Sequence, residues 1–78
     1  MKIKHYPHIR AEMAYRGLES KDMADALDIS PDAWRSRMRG KVQFRYSEMK
    51  CLMEMFESYS FEDLFYDPLA ETGKEANN

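Results

Sequence analysis

The stretch Ser20 to Gly40, SKDMADALDISPDAWRSRMRG, constrains this chain more than any other, because it encodes two short helices with too few residues between them for a loop. Met23 and Leu27 stand four apart with Ala24 beside the first, which makes a narrow apolar stripe with one small residue in it. A second helix crosses closely where a side chain is that small. Ser30 is placed to offer its hydroxyl as an N-cap, Pro31 takes the first helical position, where no amide hydrogen is needed, and Gly40 closes the helix at C′. The second helix therefore runs from Pro31 to Arg39. On its wheel Trp34 and Met38 point one way, while Asp32, Arg35, Ser36 and Arg39 fall at i, i+3, i+4 and i+7 on the other side. One side suits a core and the other faces outward.

This pattern resembles the helix-turn-helix of the phage repressors, the Cro- and cI-like (XRE-type) regulators. Met23, Ala24, Leu27, Ile29 and Trp34 occupy the places where that family has an apolar residue, an alanine and further apolar residues. The family's turn residue is usually a glycine at φ > 0. Here it is Asp28, which tolerates the left-handed region at a cost of roughly 1 kcal/mol. The glutamine that often holds a phosphate at the start of the first motif helix is here Ser20, with a shorter reach. IRAEMAYRGL resembles the family's first helix, and Arg10 matches an arginine that either makes a structural ion pair or touches the DNA backbone, structure being slightly favoured.

The resemblance spans Ile9 to Phe65. It implies a lambda-repressor-like, all-α bundle of about five helices that binds duplex DNA as a sequence-specific transcriptional regulator, a repressor of phage or prophage type. By match to the family's recognition helix, Pro31, Asp32 and Ser36 face bases, with Arg35 beside them. Ser20, Arg39, Lys41, Gln43 and Arg45 are expected on phosphates. An ionised Asp32 only accepts hydrogen bonds and would favour the cytosine amino group, whereas Arg35 would select guanine.

The remaining chain is read as support for that unit. With 78 residues, 44% hydrophobic and 33% charged, one domain over residues 1–68 is expected, followed by a polar, disordered tail over 69–78. Pro7 and Gly17 bracket a helix from Pro7 to Arg16 with Ile9 and Met13 inward. Lys41 to Tyr46 reads as an extended connection in which Phe44 plugs the core and Lys41, Gln43 and Arg45 stay wet. Ser47 is expected to cap a fourth helix whose apolar stripe is Met49, Leu52, Met53 and Phe56, with Glu48, Lys50, Glu54 and Glu57 off it. Ser60 and Asp63 have capping-box spacing ahead of a short helix with Phe61, Leu64 and Phe65, ended by Pro68.

Charge separates the two parts of the chain. The net charge of −2 combines an excess of three positive charges up to Phe56 with five negative from Glu57 onward. Trp34 to Tyr46 contains Arg35, Arg37, Arg39, Lys41 and Arg45 with no acid, a footprint suited to phosphate. A competing reading is a protein-interaction module on the same fold, antirepressor-like, with its acidic second half on a basic partner. Asp22, Asp28 and Asp32 near the proposed DNA face support it.

Other chemistry is thinly represented. The three glycines stand singly at helix ends, and no nucleophile with its base or paired carboxylates stand out, so no enzyme is expected. His5 and His8 are separated by Pro7 without further ligands near, so no metal and no cofactor are expected. No small-molecule ligand is indicated. Cys51, the single cysteine, reads as a buried structural thiol, in keeping with a cytoplasmic location, and no apolar run is long enough for a membrane span. The aromatic cluster Tyr59, Phe65 and Tyr66 exceeds the needs of a short last helix, and a weak homodimer through it is expected.

Overall fold

The computed structural model describes residues 3–69, so the expectation for the tail beyond Leu69 lies outside the described residues. The protein is all-helical: α1 is Pro7–Arg16, α2 Ser20–Leu27, α3 Pro31–Met38, α4 Tyr46–Met55 and α5 Phe61–Leu64. No strand occurs among the described residues. None of their helices is long and apolar enough to cross a membrane.

The boundaries follow from local chemistry. α1 opens on Pro7 and stops at Gly17, whose φ of 69° places it in the left-handed region. Its N-cap is Tyr6, also left-handed at φ 51°, a conformation that costs a residue with Cβ about 1 kcal/mol. Packing holds it there. The Tyr6 ring lies edge-on to Phe44 at 5.3 Å and to Phe65 at 6.4 Å. α2 begins with Glu19 as N-cap, its amide donating to the Asp22 carboxylate at 2.8 Å, and ends on Asp28 at φ 60°. That is the left-handed turn the sequence predicts. The Ser30 hydroxyl accepts from the Ala33 amide at 3.0 Å, Pro31 follows, and α3 ends at Arg39 and Gly40.

α4 begins two residues earlier than expected, and Ser47 is not its cap. Glu48 reaches back to accept from the Arg45 amide at 3.0 Å, so Arg45 becomes the N-cap and Ser47 falls inside the first turn. α5 begins as expected, with the Ser60 hydroxyl accepting from the Asp63 amide at 3.2 Å.

The core is drawn from every helix: Ile9 of α1, Met23, Ala24 and Leu27 of α2, Trp34 and Met38 of α3, Leu52 of α4 and Leu64 of α5, closed by Phe44 and Phe56. Ala24 is fully buried and α2 packs most heavily on α3, as the small residue requires. Phe44 plugs the core from the connecting segment, its ring 5.7 Å from Trp34. The expected stripe of α4 divides in two. Leu52 and Phe56 are fully buried, Met49 and Met53 only half-buried, and Phe61 of α5 is exposed.

Two charged residues expected in water are inside. Arg37, counted above with the phosphate footprint, is buried against α4, and Glu48, placed off the apolar stripe, is buried with it. Arg37 donates from Nε to Glu48 Oε1 at 2.8 Å, from Nη2 to Oε2 at 3.1 Å, and from Nη1 to the Ala33 carbonyl at 3.1 Å. Burial pushes the Glu48 carboxyl up, but the Arg37 hydrogen bond and charge and the Arg45 amide outweigh it. The net shift is below the ordinary carboxylate range. Cys51 is half-buried rather than buried, with its thiol donating to the Ala26 carbonyl at 3.5 Å and pushed up by desolvation and by Glu54.

Candidate nucleic-acid interface

The outward side of α3 is set by its buried side. With Trp34 and Met38 locked in the core, the period of the helix leaves Pro31, Asp32, Arg35 and Arg39 exposed and Ser36 half-buried. Asp32 and Arg35, one turn apart, form an ion pair at 2.9 Å in which the aspartate side chain is 96% exposed. Each is therefore the other's partner in the free protein. Ser36 contributes its carbonyl to the exit from the helix, accepting from the Lys41 amide at 3.0 Å.

Beside α3 lies a cleft of about 610 Å³. Its cationic lining is Lys4, Arg10, Arg35, Arg39 and Lys41, with Ser20 at the start of α2 and no carboxylate among the described lining residues. Segments distant in sequence meet here: the residues before α1, α1 through Arg10 and Met13, the start of α2, α3 with its exit, and Leu69. Among the described residues, Lys4, Arg39 and Lys41 have no ion pair. A water-accessible concavity lined by one sign of charge focuses potential and attracts anions.

Arg10 is built in rather than offered. Its Nε donates to the His5 carbonyl at 2.6 Å and its Nη2 to the Met38 carbonyl at 2.8 Å, which satisfies a C-terminal carbonyl of α3 with a cation. The structural role that the sequence slightly favours is the one seen, through carbonyls rather than an ion pair. The segment carrying Lys4 is held by His5, whose Nδ1 lies 2.8 Å from Asp67 Oδ2, a carboxylate that is nearly buried. The His5 ring also packs against Gly40. A Cβ there would meet Nε2 at 2.7 Å, so the φ of 76° and the lack of a side chain are both used.

Of the expected phosphate contacts, Ser20, Arg39 and Lys41 come together in the cleft, whereas Gln43 and Arg45 are exposed on the connecting segment outside it. Of the expected base contacts, Arg35 lines the cleft, and Pro31 and Asp32 stand outside its lining. Lys4 was not foreseen. The signal for it is the basic KIK before His5 and Pro7, whose path onto α3 depends on a contact with Asp67, 62 residues later.

The aromatic cluster of the last helix finds partners inside the chain. Tyr59 stacks on His8 at 5.9 Å, Tyr66 lies 5.5 Å from the same ring, and Phe65 packs on Phe44 at 5.7 Å. Tyr59 and Phe65 are half-buried, whereas Tyr66 keeps 47% of its surface exposed. His8 is engaged there and with the Asp63 carbonyl, away from His5. No protein-family model, no curated protein and no solved structure matches this chain.

Proposed function

We propose that this chain binds duplex DNA through α2 and α3 and acts as a transcriptional regulator of the Cro- and cI-like kind, a phage-type repressor. The observation that supports this reading best is the cleft beside α3, where Arg35, Arg39 and Lys41 share a concavity with Lys4 and Ser20 and no described lining residue is a carboxylate. In this reading α3 enters a major groove, Arg35 leaves Asp32 for a guanine edge, and Lys4, Ser20, Arg39 and Lys41 hold the flanking phosphates. Gln43 and Arg45 reach the backbone beyond the cleft. Occupancy of the site is the mechanism, with no enzyme chemistry, cofactor or small effector involved. The protein would act in the cytoplasm.

A gel shift on genomic fragments across a salt series tests this. Binding should weaken steeply as salt rises while a few fragments persist over the rest, because released counterions set the slope and base contacts set the choice. Arg39→Ala should weaken all fragments alike and flatten the slope of log affinity against log salt by about one unit. Absence of any shift at low salt, or a shift indifferent to salt, overturns the reading in favour of a protein-interaction module.

A further inference from the structure

α4 presents a second stripe beside its buried one. Tyr46, Met49 and Met53 follow one another along the helix, and with Phe61 of α5 they line an almost wholly apolar groove of about 240 Å³. Tyr46 is 73% exposed and Phe61 48%, an unusual display of aromatic surface on so small a domain. Lys50 and Glu54 complete the lining. They stand four apart on one helix, yet they form no ion pair with each other or with any other described residue. Lysine N-terminal to glutamate is the weaker orientation for such a pair within a helix. The Lys50 ammonium sits 5.9 Å from the centroid of the exposed Tyr46 ring, a contact that leaves its charge without a carboxylate, and Glu54 is likewise without a cation among the described residues.

The order Lys50 then Glu54 identifies that partner. We propose that a second copy of this chain docks in the groove, the two α4 helices lying antiparallel about a two-fold axis near their middle. Such an axis brings Lys50 of each copy to Glu54 of the other and Met49 over Met53, so the same patch is its own complement. A parallel pairing sets lysine against lysine and glutamate against glutamate. Residues 70–78, AETGKEANN, contain no large apolar side chain and do not suit the groove. The groove shares no lining residue with the cleft beside α3, so a dimer formed here leaves both clefts open.

Charge reversal on the full chain decides the matter, read by sedimentation equilibrium at high micromolar concentration without DNA. The wild type should self-associate as a dimer. Lys50→Glu places four negative charges across the axis and Glu54→Lys four positive, so each variant alone should dimerise at least about tenfold more weakly. An equimolar mixture of the two should regain wild-type association, because each chain then faces its opposite, and the double variant should dimerise by itself. Both residues are exposed, so far-UV circular dichroism and urea melts of the variants should match the wild type. A wild type that stays monomeric, single variants that associate unchanged, or a mixture that fails to recover overturns the proposal. None of these readings depends on whether DNA binds.

Discussion

The two long sides of α3 contain the same chemistry in opposite surroundings. On the outer side Asp32 and Arg35 pair at 2.9 Å, and on the inner side Arg37 and Glu48 pair at 2.8 Å. Distance does not separate them. The outer carboxylate is 96% exposed and the inner 4%, so water screens the first pair and the second has only the protein. An exposed pair is worth little because solvent replaces either partner. The buried pair has already lost its hydration, and removing one partner strands the other. Burial, together with the second Arg37–Glu48 hydrogen bond, thus leaves the outer pair free to be exchanged for a ligand and makes the inner pair a fixed joint between α3 and α4.

The largest expected effect tests that joint. Glu48→Ala should destabilise the fold by about 3–5 kcal/mol in urea or thermal melts, because the Arg37 guanidinium then lacks its counter-charge in the core. The Arg45 amide loses its acceptor in the same change. Arg37→Met combined with Glu48→Leu should recover most of that loss, since two apolar side chains of similar size need no partner. A double variant as unstable as the single one would show that the pair contributes more than mutual compensation.

Titration sharpens the same contrast. The folded Glu48 carboxyl lies below its unfolded value of about 4.3, so its contribution is fully present above that pH and is lost as pH falls through the lower folded value. Stability of the wild type should therefore be flat in this contribution from neutrality to about pH 5 and fall below about pH 4. Glu48→Gln should start lower and lose less in that acid range. An equal acid loss in both proteins would place the sensitive carboxylate elsewhere in the fold.

The contrast also explains what the sequence made legible. Caps and turns are local, so Pro7, Gly17, Asp28, Ser30 and Gly40 announce α1 to α3 almost to the residue. Phe44 was legible because it is the one phenylalanine in a basic segment, with no polar atom to keep it in water as the Tyr46 hydroxyl does. The inner pair was not. Arg37 and Glu48 are 11 residues apart, each on a different helix, and a lone charge read on a helical wheel defaults to water. Once Glu48 turns inward it also fixes the start of α4, which is why the nearby Ser47 misled. Within the cleft, Arg39 and Lys41 were legible from the charge run through α3, while Lys4 joined through the His5 to Asp67 contact, which no local pattern encodes.

A middle-sized effect concerns the outer pair. If Asp32 reads a base, Asp32→Asn should cost roughly 1–3 kcal/mol at one base pair and move the preference there from cytosine toward adenine, while Arg39→Ala leaves the selected sequence intact. Selection from random duplexes with each variant measures both. An unchanged consensus for Asp32→Asn would assign that carboxylate to the helix N-terminus and to Arg35 alone, a role its 2.9 Å contact already fills.

The smallest effect belongs to the turn between α2 and α3, where the outer surface meets backbone strain. Asp28 holds φ at 60°, its amide donates to the Asp25 carbonyl at 3.2 Å, and among the described residues its carboxylate has neither a hydrogen bond nor an ion pair. The residue is exposed, so loss of its charge should remove little, and the left-handed backbone should be easier without a Cβ. Asp28→Gly also frees the unfolded chain, which offsets part of the gain. The net expectation is a stabilisation of roughly 0.5–1 kcal/mol in urea melts. The reverse experiment at the other end of α3 should differ in kind. Gly40→Ala meets both the positive φ and the His5 ring, so it should destabilise by more than the 1–2 kcal/mol or so of a left-handed alanine and should loosen the segment that carries Lys4. Were Asp28→Gly to destabilise instead, the carboxylate would be making a contact in solution that an exposed charge on the outer side of this helix is not expected to make.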